Sequence, residues 1–177
     1  MHTLAQISIS NFRSCKNVSL CLSDFTPIVG YNNAGKSNIL AAVEWLIDPS
    51  ALAAGDFFDP SSALVIEGLV TGVTAQLIGT MPTNQQSQTK PYIKNETLRF
   101  RRVLPKPGAV ATIKLEVRDP AVSDEKDEKA WTAAPTGIPQ TLKALFPESI
   151  RVQACKTPPT TSRSKPRETR LGSSSQT

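Results

Sequence analysis

Phe25-Thr26-Pro27-Ile28-Val29-Gly30-Tyr31-Asn32-Asn33-Ala34-Gly35-Lys36-Ser37-Asn38-Ile39-Leu40 holds a short apolar run, a polar glycine-bounded loop and the opening of a periodic segment. The run over 25–29 predicts a strand with Pro27 at its start, because proline cannot donate to a central ladder. From Lys36 onward, apolar residues fall at Ile39, Leu40, Val43, Leu46 and Ile47, a helical period stopped by Asp48-Pro49. Between them, residues 30–37 match G-x-x-x-x-G-K-[ST] at every fixed position. Strand, glycine loop and helix in that order make a cradle for phosphate.

The chemistry expected of that loop follows from its residue types. Gly30 and Gly35 let the backbone turn sharply with no Cβ between it and an anion. Successive N–H groups from Tyr31, Asn32, Asn33, Ala34 and Gly35 can then form a concave anion nest. The helix opening near Lys36 adds its unpaired N–H groups and positive dipole end. Lys36 is the candidate catalytic residue, an ammonium for the β/γ-phosphates. Ser37 is the candidate metal ligand, since a hydroxyl oxygen suits the hard Mg²⁺ ion. Asn38 belongs to the helix's first turn, beside the same anion. The cofactors expected are ATP and Mg²⁺.

Outward from the loop, residues 4–9 and 18–22 alternate and predict two strands, joined by a turn at Asn11-Phe12-Arg13-Ser14. A loop covers 50–62, followed by strand-like segments at 63–70, 73–78, 97–103 and 109–117. Loops at 80–91 and 105–108 break them into an antiparallel meander. A short helix is predicted over 139–145 and a last strand over 149–153. The fold class is therefore α/β, with a mixed or antiparallel sheet. From Cys155 the sequence turns to Pro, Ser, Thr and Arg, with too little apolar surface to offset ordering entropy. The expected organisation is a lobe at 1–154 and a disordered basic tail at 155–177.

Length and charge bound the rest. The chain has 177 residues and a mean hydropathy of −0.20. It holds no apolar run near the roughly 18–20 residues that cross a bilayer. Its start lacks a secretory pattern, and Cys15, Cys21 and Cys155 form no metal spacing or disulfide framework, so a cytoplasmic protein is expected. The net charge of +5 arises in the tail. The first 150 residues carry 14 Lys/Arg and 14 Asp/Glu, whereas residues 151–177 carry six basic residues and one acid. One histidine, His2, excludes a His-based nucleophile set. Trp45 is expected to pack, and Asp56 and Asp59 to serve their loop rather than a metal.

The run ISISNFRSCKNVSLCL, followed by FTPIVGYNNAGKSNILAAVEWL, resembles the N-terminus of RecF/SMC-like ATPases, and most of all the OLD family of ATPase-nucleases. That resemblance implies the N-terminal lobe of an ABC-type head, with the antiparallel strands as its β-lobe. It makes Arg13 a candidate contact for nucleotide phosphates and Asn32 a candidate for the γ-phosphate or a metal-bound water. It implies DNA processing, repair or phage defence in an intact relative, with two like heads sandwiching ATP.

The same resemblance shows what the sequence lacks. No four-apolar-residue strand ends in Asp-Glu, and no LSGG-type signature is present. The acids Asp124, Glu125, Asp127 and Glu128 follow no apolar strand and read as a solvated face. The chain is thus expected to be an incomplete lobe that holds a nucleotide better than it hydrolyses one. The break at Cys155 suggests a shifted reading frame over 155–177. The alternative is a non-catalytic fragment whose basic tail binds nucleic acid or a partner.

Overall fold

The computed structural model describes residues 1–122 and 127–146. Strand β1 (Thr3–Phe12) pairs antiparallel with β2 (Cys15–Cys21) through a two-residue turn at Arg13 and Ser14, in the register Ile7↔Leu20 and Ile9↔Val18. Arg13 takes a left-handed φ of 48°, which lets the chain reverse so tightly. On its other side β1 pairs with β3 (Leu64–Thr71), which pairs with β5 (Thr97–Leu104). The sheet continues through β6 (Lys114–Arg118) to β7 (Trp131–Ala133). A short β4 (Ile93–Lys94) hairpins onto the end of β5. The described residues form a seven-stranded sheet in the order β2-β1-β3-β5-β6-β7, with every pairing antiparallel.

Period-2 alternation decides which face is covered. In β3, Leu64, Ile66, Gly68 and Val70 are buried, while Val65, Glu67, Leu69 and Thr71 face the other way. Ile7, Ile9, Leu98, Phe100, Leu104 and Val117 join the buried side from neighbouring strands. Helix α1 (Lys36–Ile47) lies on that face through Ala42, Trp45 and Leu46. It can approach so closely because β3 carries Gly68 beneath it: a Cβ there would lie 2.9 Å from Leu46 Cδ2. Trp45 packs as expected, with its indole N–H donating to the Ser50 carbonyl at 2.8 Å.

The far end of α1 is held by Arg102. Its Nε donates to the Leu46 carbonyl at 2.7 Å and its Nη2 to the Ile47 carbonyl at 3.4 Å, covering acceptors that a helix end leaves open. Burial lowers the Arg102 pKa to about 10, with Asp48 opposing the shift, so the group stays charged at neutral pH. Asn11 does comparable work in β1. Buried, with a φ of 65°, it donates to the carbonyls of Asp59, Ser62 and Ala63 and accepts from the Asp59 N–H at 2.7 Å.

Several sequence expectations need correction. Residues 73–78 are not a strand. Thr74 caps a helix, its hydroxyl accepting from the Leu77 N–H, and α2 (Ala75–Gly79) follows. The expected loop at 80–91 contains α3 (Thr83–Thr89) and a 3-10 turn at Lys90–Tyr92. Within 109–117, Val110–Thr112 forms a 3-10 turn, and pairing starts at Lys114. The strand predicted over 25–29 is absent: Phe25 is 83% exposed and Val29 89%, and no described strand lies beside them to take their backbone groups. The helix predicted at 139–145 is present as α4 (Gly137–Leu145), packed on α3 with a buried Thr89–Thr141 hydroxyl bond of 3.0 Å. The strand expected at 149–153, the boundary at 154 and the tail at 155–177 lie outside the described residues.

Candidate functional site

Residues 30–37 form a curled loop between the exposed 25–29 segment and α1. The Ala34 N–H closes a turn on the Tyr31 carbonyl at 3.2 Å. Asn33 takes a φ of 65° and Gly35 a φ of 85°, both left-handed. That handedness is open to glycine and tolerated by asparagine, which is why these two residue types stand where the chain bends. Gly35 is the N-cap of α1 and supplies no side chain, so the first N–H groups of the helix have no side-chain cap. The Asn38 and Ile39 N–H groups both return to the Gly35 carbonyl, at 2.9 and 3.1 Å.

Lys36 folds back across the loop. Its Nζ donates to the Gly30 carbonyl at 2.6 Å and the Tyr31 carbonyl at 2.7 Å. An ammonium has three hydrogens, so one remains to be offered outward. Asn32, Asn33, Ala34, Gly35, Lys36, Ser37, Asn38 and Ser14 line an open depression of about 730 Å³. The loop is therefore curled rather than straight, with the Lys36 side chain lying across its N-terminal end. Ser37 Oγ makes no hydrogen bond among the described residues and lies on the exposed rim. Tyr31 is 92% exposed; it contributes its carbonyl rather than its ring.

The outer wall comes from the β1–β2 turn. Ser14 Oγ accepts from Asn38 Nδ2 at 2.8 Å and lies 3.0 Å from where a Cβ on Gly35 would stand. Ser14 is not among the site residues expected from the sequence, although it belongs to the Asn-Phe-Arg-Ser turn. Its neighbour Arg13 points elsewhere. The Arg13 Nε donates to Asp56 Oδ1 at 2.9 Å, its backbone N–H donates to the Asp56 carbonyl, and its guanidinium stacks 5.1 Å from the Phe12 ring centre. Arg13 does not line the depression. Cys15, next in the turn, is buried; burial pushes its thiol pKa up while the Ser14 hydroxyl draws it down.

The described acids are held by local partners. Asp59 accepts from Ser61 and Ser62, which hold its carboxyl below the usual range. Glu128 is not merely solvated: it pairs with Arg101 at 2.7 Å, and Arg101 also bonds Glu116 and stacks 4.4 Å from Trp131, pinning β7 to the sheet. Among the described residues no group of three or more His, Cys, Asp or Glu side chains could hold a metal ion. No described helix is long and apolar enough to cross a membrane.

This α/β lobe, with its loop-and-helix depression, has a family. The chain belongs to the AAA ATPase domain family, whose pattern matches residues 3–129. It is similar to Old nuclease of Escherichia phage P2, at 39% identity over 153 residues. That match covers 85% of this chain and 25% of the relative, so the chain spans about a quarter of the relative's length. The OLD-type resemblance read from the first 48 residues and the antiparallel β region are both consistent with that family.

Proposed function

We propose that the chain binds ATP with Mg²⁺ in the depression lined by residues 32–38, with Gly30 and Tyr31 holding the Lys36 ammonium at its edge. The observation that carries this reading is the helix start: a bare, left-handed Gly35 leaves the first N–H groups of α1 uncapped, with the Lys36 ammonium held at the other end of the same loop. The donor set fits a triphosphate. Backbone N–H groups meet the α/β-phosphates, and the third Lys36 hydrogen meets the β/γ-phosphates. Ser37 Oγ supplies a hard oxygen for Mg²⁺, which when bound would neutralise phosphate charge. Asn32 sits on the rim where it can reach the terminal phosphate. Arg13, committed to Asp56, supports the turn that carries Ser14.

For a protein the length of the relative, we propose that ATP turnover couples to nucleic-acid processing, as the word nuclease in that relative's name suggests. The test is equilibrium binding of Mg-ATP to the 177-residue chain and to Lys36→Ala. Loss of the ammonium removes a charged contact, so affinity should fall by about tenfold or more. Equal affinity in the two proteins would remove the loop as the site.

A further inference from the structure

Ser14 reaches the loop from a different part of the chain. Its Oγ accepts from Asn38 Nδ2 and lies 3.0 Å from where a Cβ on Gly35 would stand, at the C-terminal end of the loop, whereas the Lys36 ammonium is held at the N-terminal end by Gly30 and Tyr31. The two side chains thus bracket the depression. A serine hydroxyl has one hydrogen to give and two lone pairs to receive with. Asn38 Nδ2 occupies a lone pair at 2.8 Å, which fixes the oxygen and leaves its hydrogen. The next residue in the turn, Cys15, offers only sulfur, a weak acceptor, for that hydrogen. An anionic phosphate oxygen is a much stronger one.

We propose that Ser14 is a nucleotide-contact residue: its hydroxyl donates to an α- or β-phosphate oxygen of a bound nucleoside di- or triphosphate, with Asn38 as the residue that positions it. The inference rests on the reading of residues 30–38 as a nucleotide site. The α/β end is assigned because Ser14 meets the start of α1, where backbone N–H groups cradle those phosphates, and not the loop end where the ammonium lies. It makes the β1–β2 turn part of the site and ties nucleotide occupancy to the edge of the sheet.

The test is calorimetric binding of Mg-ATP and Mg-ADP to the full chain and to Ser14→Ala, Ser14→Thr, Asn38→Ala and Lys36→Ala. Ser14→Ala should weaken ATP and ADP alike by about tenfold, the scale of a hydrogen bond to a charged group. Ser14→Thr keeps the hydroxyl and should restore binding to within about threefold of native. Asn38→Ala should fall between them, since the hydroxyl stays but its orientation is lost. Without nucleotide, Ser14→Ala should melt with the native protein, because Ser14 is exposed. If Lys36→Ala weakens binding and Ser14→Ala does not, the Ser14 assignment fails alone. If Ser14→Thr is as weak as Ser14→Ala, the hydroxyl is not the contact and the assignment also fails. If the native chain binds neither nucleotide, the site itself fails and Ser14 with it.

Discussion

Replacing Gly68 tests how α1, and with it the loop, is seated on the sheet. A Cβ at this position would lie 2.9 Å from Leu46 Cδ2, 3.0 Å from Leu4 Cδ1 and 3.3 Å from Phe100 Cε1. Carbon atoms rest at about 3.5–4.0 Å, so each neighbour must yield several tenths of an ångström. Leu46 and Phe100 are almost fully buried and have little room to move. For Gly68→Ala, overpacking of about 1–3 kcal/mol is partly offset by about 0.5–1 kcal/mol from a stiffer unfolded chain. The net loss should be about 1 kcal/mol. Gly68→Val adds two further carbons into the same contact and should lose about 3 kcal/mol. Urea unfolding followed by circular dichroism reads this as a lower midpoint at unchanged slope. For a domain of this size the melting temperature of the valine variant should fall by about 6–12 °C. Because α1 carries Lys36, Ser37 and Asn38, Mg-ATP affinity should fall with it. A valine variant as stable as native would refute the claim that Gly68 sets the helix-to-sheet distance.

Asn11→Ala removes four hydrogen bonds and leaves the carbonyls of Asp59, Ser62 and Ala63 without that amide. Alanine is also strained at a φ of 65°. A loss of about 2–4 kcal/mol in urea unfolding is expected; Asn11→Gly, which relieves only the strain, should remain destabilised. The Arg101 hydrogen bond holds the Glu128 carboxyl below its ordinary value of 4.5. A carboxyl lowered on folding contributes stability that is present above that ordinary value and is lost as pH falls through the folded one. Glu128→Gln should therefore flatten the acid limb of the stability–pH curve. The effect should be small, because the carboxylate is largely in solvent. A Glu128 titration at or above its ordinary value, followed by NMR, would remove Arg101 as its partner.

The readable parts of this protein are those where neighbours in sequence are also neighbours in space. The loop at 30–37 and the helix after it depend on glycines at a bend and on N–H groups at a helix start, so spacing sufficed to place Lys36 and Ser37 on one rim. Alternation likewise placed Leu64, Ile66 and Val70 on a single face. Short segments read less well. Residues 73–78 are apolar enough for a strand, yet the Thr74 hydroxyl caps a helix that runs from Ala75 to Gly79.

Phe25 to Val29 shows the limit most plainly: an apolar run becomes a strand only when another strand accepts its hydrogen bonds, and none of the described strands does. Ser14 beside Asn38, Arg13 turned to Asp56, Arg102 on the end of α1 and Leu46 over Gly68 are likewise decisions of the assembled fold. Each joins residues far apart in the chain. Periodicity states which face a residue takes, but which residue lies opposite depends on the register and packing of the whole sheet.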